Sequence, residues 1–504
     1  MATILFLWHS IHSFRTPRLY NTHEPPRLSL AVNHQEGHES SQTFLAASSS
    51  GTNQPTADVV DENNYLEEQP MKLPSRISEL ASCPRAPNLY TNHLRLPNAL
   101  YNISMNPRAG TDDETRIFWN PTIIALPSWA KNQYIVVSMV TPDRDPLRRN
   151  VICEANICQS NSNSSQATLR KACSGEEVLS SRFKTTLCCE SPPRELIVPA
   201  TPASACEGKE QIFADIPGFH DPRLFYSARG EPILMISSHV FSSSPKRLGA
   251  GPLVSYPTIT ELTRNPESSR ESYEKNWVMF STSPSTSYIQ YELNSTIRTI
   301  AKLIGGGLTT SNITSPLEES CLSDPTPEEL SSGKYTLMTT WHQATPSLKL
   351  ILCSRSNLSC HDEPEITVFI TVIHRKVFDI FQLPARYERF MVIWSATPPF
   401  NVLAVSKHPL LFANETVHGW TAEESWDDVP NVEPENRKHW ARFTYTTTIG
   451  YVWGSDNGDI RNMGVGYLDD EVLLSVGVED EGQVYGTVVV SDLLRCLRIC
   501  PGFL

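Results

Sequence analysis

From Cys83 onward, short apolar runs of four to eight residues alternate with Pro, Ser, Asn and Gly punctuation. Many of these runs are β-branched or aromatic, a pattern that predicts strands. They are Gln133–Val140, Arg223–Ser227, Ile233–Ser237, Tyr288–Leu293, Tyr335–Thr340, Leu348–Cys353, Ile366–Ile373, Phe390–Ser395, Arg442–Thr448, Val472–Val478 and Gln483–Val490. One helix is expected, Ser491–Ile499, with Ser491 and Asp492 as its start signals. Residues 9 to 80 read differently: they are rich in Ser, Pro, Asn, His and Glu, lack cysteine and show no sustained apolar period. Residues 1–80 are therefore expected to form a disordered amino-terminal arm or stem, and 81–504 the folded domain.

Many strands with little helix to cross between them leave a sandwich, a barrel or a propeller. More than 400 residues exceed one sandwich, whereas four or five propeller blades use about 16 to 20 short strands. Neither a tryptophan-aspartate nor a kelch signature recurs, so the ordinary repeat propellers are not indicated. The composition agrees: 39% hydrophobic residues in a chain of 504 argue against wholesale disorder, and 38 Pro against 23 Gly point to many turns. A net charge of -13 (42 basic, 55 acidic) makes attraction to phosphate backbones weak, and no nucleic-acid partner is expected.

Twelve cysteines at several short spacings favour an oxidising compartment, the Golgi lumen or the extracellular space. Cys153 with Cys158 and Cys353 with Cys360 are the expected local bridges. Zinc is disfavoured because no pair of C-x2-C units occurs and no His stands at finger spacing. Sequons begin at Asn102, Asn163, Asn294, Asn312, Asn357 and Asn414, a number compatible with chance. The apolar stretch Ala2–Trp8 is too short to span a bilayer, so it gives membrane anchoring no support. It also lacks the basic start and longer apolar core of a cleaved signal, and this start is expected to be truncated or misassigned.

Five local motifs follow one another. They are Asn120-Pro-Thr-Ile, then Asp221-Pro-Arg inside Gly218–Met235, Glu274-Lys-Asn-Trp, Trp341-His-Gln-Ala-Thr-Pro, and Ser475-Val-Gly-Val-Glu-Asp. Asp221 precedes a proline, so an extended backbone is expected there, with Arg223 and Phe225 on its face. In this order the motifs resemble those of five-bladed β-propeller carbohydrate-active enzymes, the group of β-mannoside phosphorylases and related mannosyl-transfer proteins. The likeness covers roughly Asn120 to Glu481. It departs from the group at His220, where an acidic residue often precedes D-P-R, and at Gln343-Ala344, where Gly-Gly precedes T-P. Both departures bear on phosphorolysis. The resemblance implies an all-β, five-bladed propeller with its site in a central funnel.

Glycosyl transfer through an oxocarbenium-like transition state needs one carboxyl group to protonate the leaving oxygen, and a second group to activate or replace the nucleophile. Asp221 is the candidate central carboxylate, and Glu274 and Asp480 are the candidate partners. Arg223, Lys275 and His342 are donors suited to a sugar hydroxyl or an anionic leaving group. Asn120 joins them as a candidate ligand, and Trp277 or Trp341 as a stacking platform. Asp469 and Asp470 read as a turn. No metal cluster, G-x-S-x-G elbow, H-E-x-x-H pair, P-loop or dinucleotide fingerprint occurs, so no cofactor is expected. Two function classes remain. One is a glycan-active secretory-pathway enzyme that transfers or cleaves a glycosyl group, its partner a carbohydrate or glycoconjugate. The other is a non-catalytic propeller that binds a glycan or a protein.

Overall fold

The computed structural model describes residues 2–6, 73–83, 93–105, 116–141, 149–159, 185–196, 219–238, 260–269, 276–293, 298–305, 307–314, 321–322, 338–357, 359–378, 386–415, 444–452, 464–479, 482–501 and 503. The described fold is all-β. After β1 (Ala2–Phe6), the single-turn helix α1 (Ser75–Leu80), β2 (Leu94–Arg95) and β3 (Tyr101–Ser104), the chain makes five antiparallel meanders.

The first is β4 (Ile117–Ala125), β5 (Tyr134–Thr141), β6 (Arg149–Gln159) and β7 (Thr185–Cys189), with β8 (Arg194–Glu195) on β6. The second is β9 (Phe219–Tyr226) and β10 (Pro232–Ser238), whose outer edge takes β1 and then β11 (Thr260–Glu261). The third is β12 (Val278–Ser283), β13 (Thr286–Leu293), β14 (Arg298–Gly305) and β15 (Leu308–Thr309). In the fourth, β16 (Met338–Gln343) and β17 (Leu348–Ile351) both pair with β18 (Thr367–Phe378), followed by β19 (Arg386–Ser395) and β20 (Val402–Ser406). Then β21 (Leu410–Leu411) pairs with β2. The fifth begins with β22 (Thr444–Tyr451). After β23 (Val465–Tyr467), which lies parallel to β17, it continues through β24 (Glu471–Val478) and β25 (Gly482–Val489), where β3 links it to β7 of the first. The helical turn α2 (Val490–Leu493) leads to β26 (Leu497–Ile499) on β20.

Each of the eleven predicted runs overlaps a strand, because a half-buried pleated face selects alternating β-branched and aromatic residues. Between meanders the cores are layers of such faces. Ile124, Val137, Leu224 and Leu234 fill the space between the first and second meanders. Phe225, Trp277, Met279 and Tyr291 fill that between the second and third. Ile123, Val136, Leu473 and Tyr485 lie between the fifth and the first. The third and fourth meet on an aromatic cluster in which Phe280, Phe369 and Phe400 surround Trp394, with ring centroids 4.5, 4.7 and 5.8 Å from it.

Three expectations are corrected. The helix at Ser491–Ile499 is only the turn α2, because Cys496 takes a left-handed φ of 62° and Leu497–Ile499 hydrogen-bonds to β20 instead. The stretch 1–80 contains β1, paired on both edges, and α1, whose Ile77 is fully buried; residues 7–72 lie outside the described residues. Cys153 is bridged to Cys189 and Cys158 to Cys188, not to each other. Five residues along one extended strand span about 16 Å, beyond any disulfide, whereas β7 lies beside β6. Cys353–Cys360 forms as expected, and Cys83–Cys496 and Cys321–Cys500 join distant parts of the chain. Cys173 and Cys206 lie outside the described residues. Among the described residues no helix is long and apolar enough to cross a membrane.

Trp394 is 1% exposed at the centre of its cluster. Trp394→Ala is expected to lower the unfolding free energy by about 3–5 kcal/mol, read as a fall in urea midpoint at unchanged slope. A loss below about 1 kcal/mol would mean that this layer does not hold the third and fourth meanders together.

Candidate functional site

Four of the five meanders share one irregularity in their inner strand. On β4 the ladder to β5 skips between Trp119 and Thr122, on β9 an extra residue falls at Asp221-Pro222, and on β22 one falls at Thr446–Thr448. In the fourth meander the Ala344 and Thr345 N–H groups both donate to Val372 O, so residues 344–347 bulge between β16 and β17. Asn120, Asp221 and Asn276 have left-handed φ of 46°, 49° and 59°. Asn and Asp enter this region more readily than other residues with a Cβ. The extended backbone expected at Asp221 is therefore not found. The bulge breaks the strand alternation, so that Asp221 is half-buried while Arg223 is only 1% exposed.

These bulges are tied to one another by hydrogen bonds. Asn120 Nδ2 donates to Asp221 Oδ1 at 3.4 Å, and Leu224 N donates to Thr122 Oγ1 at 2.7 Å, joining the first meander to the second. Arg223 donates from Nε to Ala344 O at 2.8 Å, from Nη1 to Pro222 O at 3.0 Å, and from Nη2 to Asn276 Oδ1 at 3.3 Å. Gln343 Nε2 is shared among Asn276 O, Gln290 O and Tyr291 O at 2.6, 3.0 and 2.8 Å. Tyr445 Oη donates to Gln343 O at 3.2 Å, and the Arg223 guanidinium lies 5.8 Å from its ring centre. Thr447 Oγ1 and Ser475 Oγ both donate to Pro121 O, returning from the fifth meander to the first. Burial, the Asp221 charge adding to it, pushes the Tyr445 phenol up to about 12 against the opposing pull of Arg223.

The arrangement brings together Asn120, Asp221 and Arg223 from the predicted set, with Asn276, Gln343 and Tyr445. Asn120 is 7% exposed and packs on Gly477, where a Cβ would come within 2.5 Å of its Oδ1. Trp277 lies elsewhere, 3% exposed in the apolar core and edge-on to Tyr291 at 4.6 Å. Trp341 is likewise buried, against Phe390. His342 is on the opposite face of β16 from Gln343, with its Nε2 3.0 Å from Thr340 Oγ1 and its ring 6.2 Å from that of Tyr387. Glu274, Lys275 and Asp480 lie outside the described residues. Asp469 and Asp470 form the expected turn, capped by Arg355, whose guanidinium grips Asp470 at 2.8 and 2.5 Å.

Elsewhere, a cavity of 380 Å³ lies at the other end of these first strands, lined by residues that include Tyr226, Phe280, Lys349 and Tyr451. Its lining carboxylate, Asp362, is paired with Lys349 at 2.5 Å. Among the described residues one group of metal-type ligands occurs, Cys83, His408 and Cys496, but its two sulfurs form a disulfide and so are not thiolates.

Sequence reasoning missed the buried support of β22. Arg389 donates from Nε to Thr446 Oγ1 at 2.7 Å and from Nη1 to Glu415 Oε2 at 2.8 Å. Beside it, His374 Nε2 accepts the Thr446 N–H at 3.3 Å, so the ring must be neutral. Burial holds its pKa well below 6.5, with the Arg389 charge, His342 and Arg223 adding to the effect. Burial alone would raise the Glu415 carboxyl, but Arg389 and the hydrogen bonds from Phe412 and Thr444 leave it below the ordinary value. Nothing in the spacing of these residues signals their contact.

Because the folded pKa of His374 is depressed, the unfolded chain binds the extra proton first as pH falls. The His374 contribution is thus complete above 6.5 and declines below it, by up to about 1.4 kcal/mol per pH unit. Glu415 adds loss in the same direction below its ordinary 4.5. The urea midpoint is expected to fall between about pH 6.5 and pH 5. His374→Gln, whose amide oxygen can still accept the Thr446 N–H, is expected to flatten that fall; an unchanged slope would count against the neutral-histidine assignment.

No protein-family model and no curated protein matches the sequence. Among solved structures, the chain is similar to a provisionally assigned glycoside hydrolase from Bacteroides ovatus, at 8% identity and a TM-score of 0.39, over 83% of this chain and 99% of that one.

Proposed function

We propose that residues 81–504, together with β1, form a five-bladed propeller with a glycan-active site at the mouth where its first strands begin. The observation that carries this reading is the cross-bonded ring of irregular positions on neighbouring meanders, about 50 to 110 residues apart in sequence, that joins Asn120, Arg223, Asn276, Gln343 and Tyr445 beside the half-buried Asp221. Propellers place the innermost strand of each blade on the axis, and the cyclic packing of one meander on the next supports that geometry. The five disulfides among the described residues support a secretory-pathway location.

In this reading Asp221 is the carboxyl group that exchanges a proton with the glycosidic oxygen, oriented by Asn120 Nδ2. Arg223 is a strut: its Nε, Nη1 and Nη2 atoms are bonded to protein oxygens, and it fixes the bulge on which Asp221 stands. The second carboxylate comes from Glu274 or Asp480, and their separation from Asp221 decides whether water or the enzyme is the nucleophile. The far cavity is the weaker candidate, because its carboxylate is already neutralised by Lys349. A second reading, a propeller that binds a glycan or a protein without turnover, is supported by the sequestered Arg223 and by the burial of Trp277 and Trp341, which leaves neither as a sugar platform.

Asp221→Asn separates the readings. Turnover of activated sugar donors or aryl glycosides, tested with and without phosphate, is expected to fall about 10²–10⁴-fold while ligand binding persists. Glu274→Gln and Asp480→Asn identify the partner by the same measure. Undiminished turnover in Asp221→Asn would remove the site from this mouth, and a native protein that binds glycan without turnover would select the second reading.

A further inference from the structure

Four sequon asparagines lie among the described residues, Asn102, Asn312, Asn357 and Asn414, and the last three use their side-chain amides in two different ways. Asn312 is exposed just after β15. Its Oδ1 accepts Ile300 N at 3.0 Å, Thr314 N at 3.2 Å and Thr314 Oγ1 at 2.9 Å. Asn357 is exposed in the loop closed by Cys353–Cys360, and its Oδ1 accepts Ser359 N at 3.1 Å and Ser359 Oγ at 2.8 Å. In both, the bonds that hold the side chain end on the oxygen, so a substituent on Nδ2 leaves them intact.

Asn414 is held the other way. Its Oδ1 accepts Leu100 N at 2.7 Å while its Nδ2 donates to Leu100 O at 2.8 Å. Closing on both backbone groups of one residue uses the Nδ2 hydrogen on the oxygen's side of the amide. A secondary amide prefers the trans form, which puts a new nitrogen substituent in that place. A sugar on Asn414 would therefore displace the bond to Leu100. The neighbouring Glu415 is clamped by Arg389 at 2.8 Å and pins the segment.

We propose that Asn312 and Asn357 are N-glycan acceptors and that Asn414 is not, an assignment that rests on the secretory reading above. In the transfer, Nδ2 attacks the anomeric carbon of an oligosaccharide carried as a polyprenyl diphosphate. A carbon–nitrogen bond forms, the carbon–oxygen bond to the diphosphate breaks with its electron pair, and Nδ2 gives up one proton to a base. The Oδ1 bonds to Ile300, Thr314 and Ser359 survive in the folded product.

The test is an occupancy map of the full chain secreted from a eukaryotic host behind a supplied leader. Peptide-N-glycosidase in heavy-oxygen water converts each occupied Asn to labelled Asp, read by peptide mass. Label is expected at Asn312 and Asn357 and not at Asn414. Asn312→Gln and Asn357→Gln are each expected to remove one glycan's shift in gel mobility. Thr314→Ala and Ser359→Ala, which break the sequon but keep the asparagine, should do the same, and Asn414→Gln should remove none. Unlabelled Asn312 and Asn357 in the secreted chain, or labelled Asn414, would overturn the assignment. The supplied leader makes this map independent of the natural compartment, whereas twelve free thiols in natively made chain would defeat the secretory reading itself.

Discussion

A guanidinium that is 1% exposed has to exchange its hydration shell for protein oxygens, and Arg223 does so with oxygens from three meanders. Left uncompensated, such a charge costs several kcal/mol. The carbonyl of Ala344 and the side chain of Asn276 are therefore not free to vary in position. A regular strand would aim Ala344 O into its own ladder; the bulge over residues 344–347 frees it to accept from Arg223. The left-handed turn at Asn276 likewise presents its side-chain oxygen to the same cation. Strained backbone and buried charge thus explain each other.

The same logic gives meaning to Gln343. At sequence level it is only a departure from an expected glycine. In the structure its amide nitrogen is shared by three carbonyls of the third meander, and its own carbonyl receives the Tyr445 phenol. Glycine could make only the last of these contacts. Through this side chain the fourth meander is tied to the third, which a glycine at the same place could not do.

What the sequence made legible is the part governed by local period. Val472–Val478 and Gln483–Val490 read as strands because their alternation matches a half-buried pleat, and β24 and β25 fall on them almost residue for residue. Asn120 and Asp221 could be picked out because each belongs to one of the ordered local motifs, yet the extended backbone expected at Asp221 is not what forms. The proline bias toward extended backbone yielded at Asp221 to a bulge imposed by tertiary contacts. Cys153 and Cys158 failed for a related reason: proximity in sequence is not proximity along a strand, and the partners stood on β7, about 30 residues away. Arg389, Glu415 and His374 were invisible, since a buried ion pair between distant segments has no period at all. Trp277 shows the converse, a residue conspicuous in sequence that serves the core.

The Cys83–Cys496 bridge has a temporal side. Its members are 413 residues apart, and Cys496 is made after all five meanders. At about 5–20 residues per second, Cys83 waits roughly 20 to 80 s as an unpaired thiol while the cysteines of β6 and β7 emerge and compete for it. Correct pairing therefore depends on the first meander burying Cys153 and Cys189 early, which removes them as rivals before the right partner arrives. A mutation that merely slowed the closure of β6 on β7 would leave the finished fold no less stable, yet would divert chains during synthesis into wrongly bridged forms.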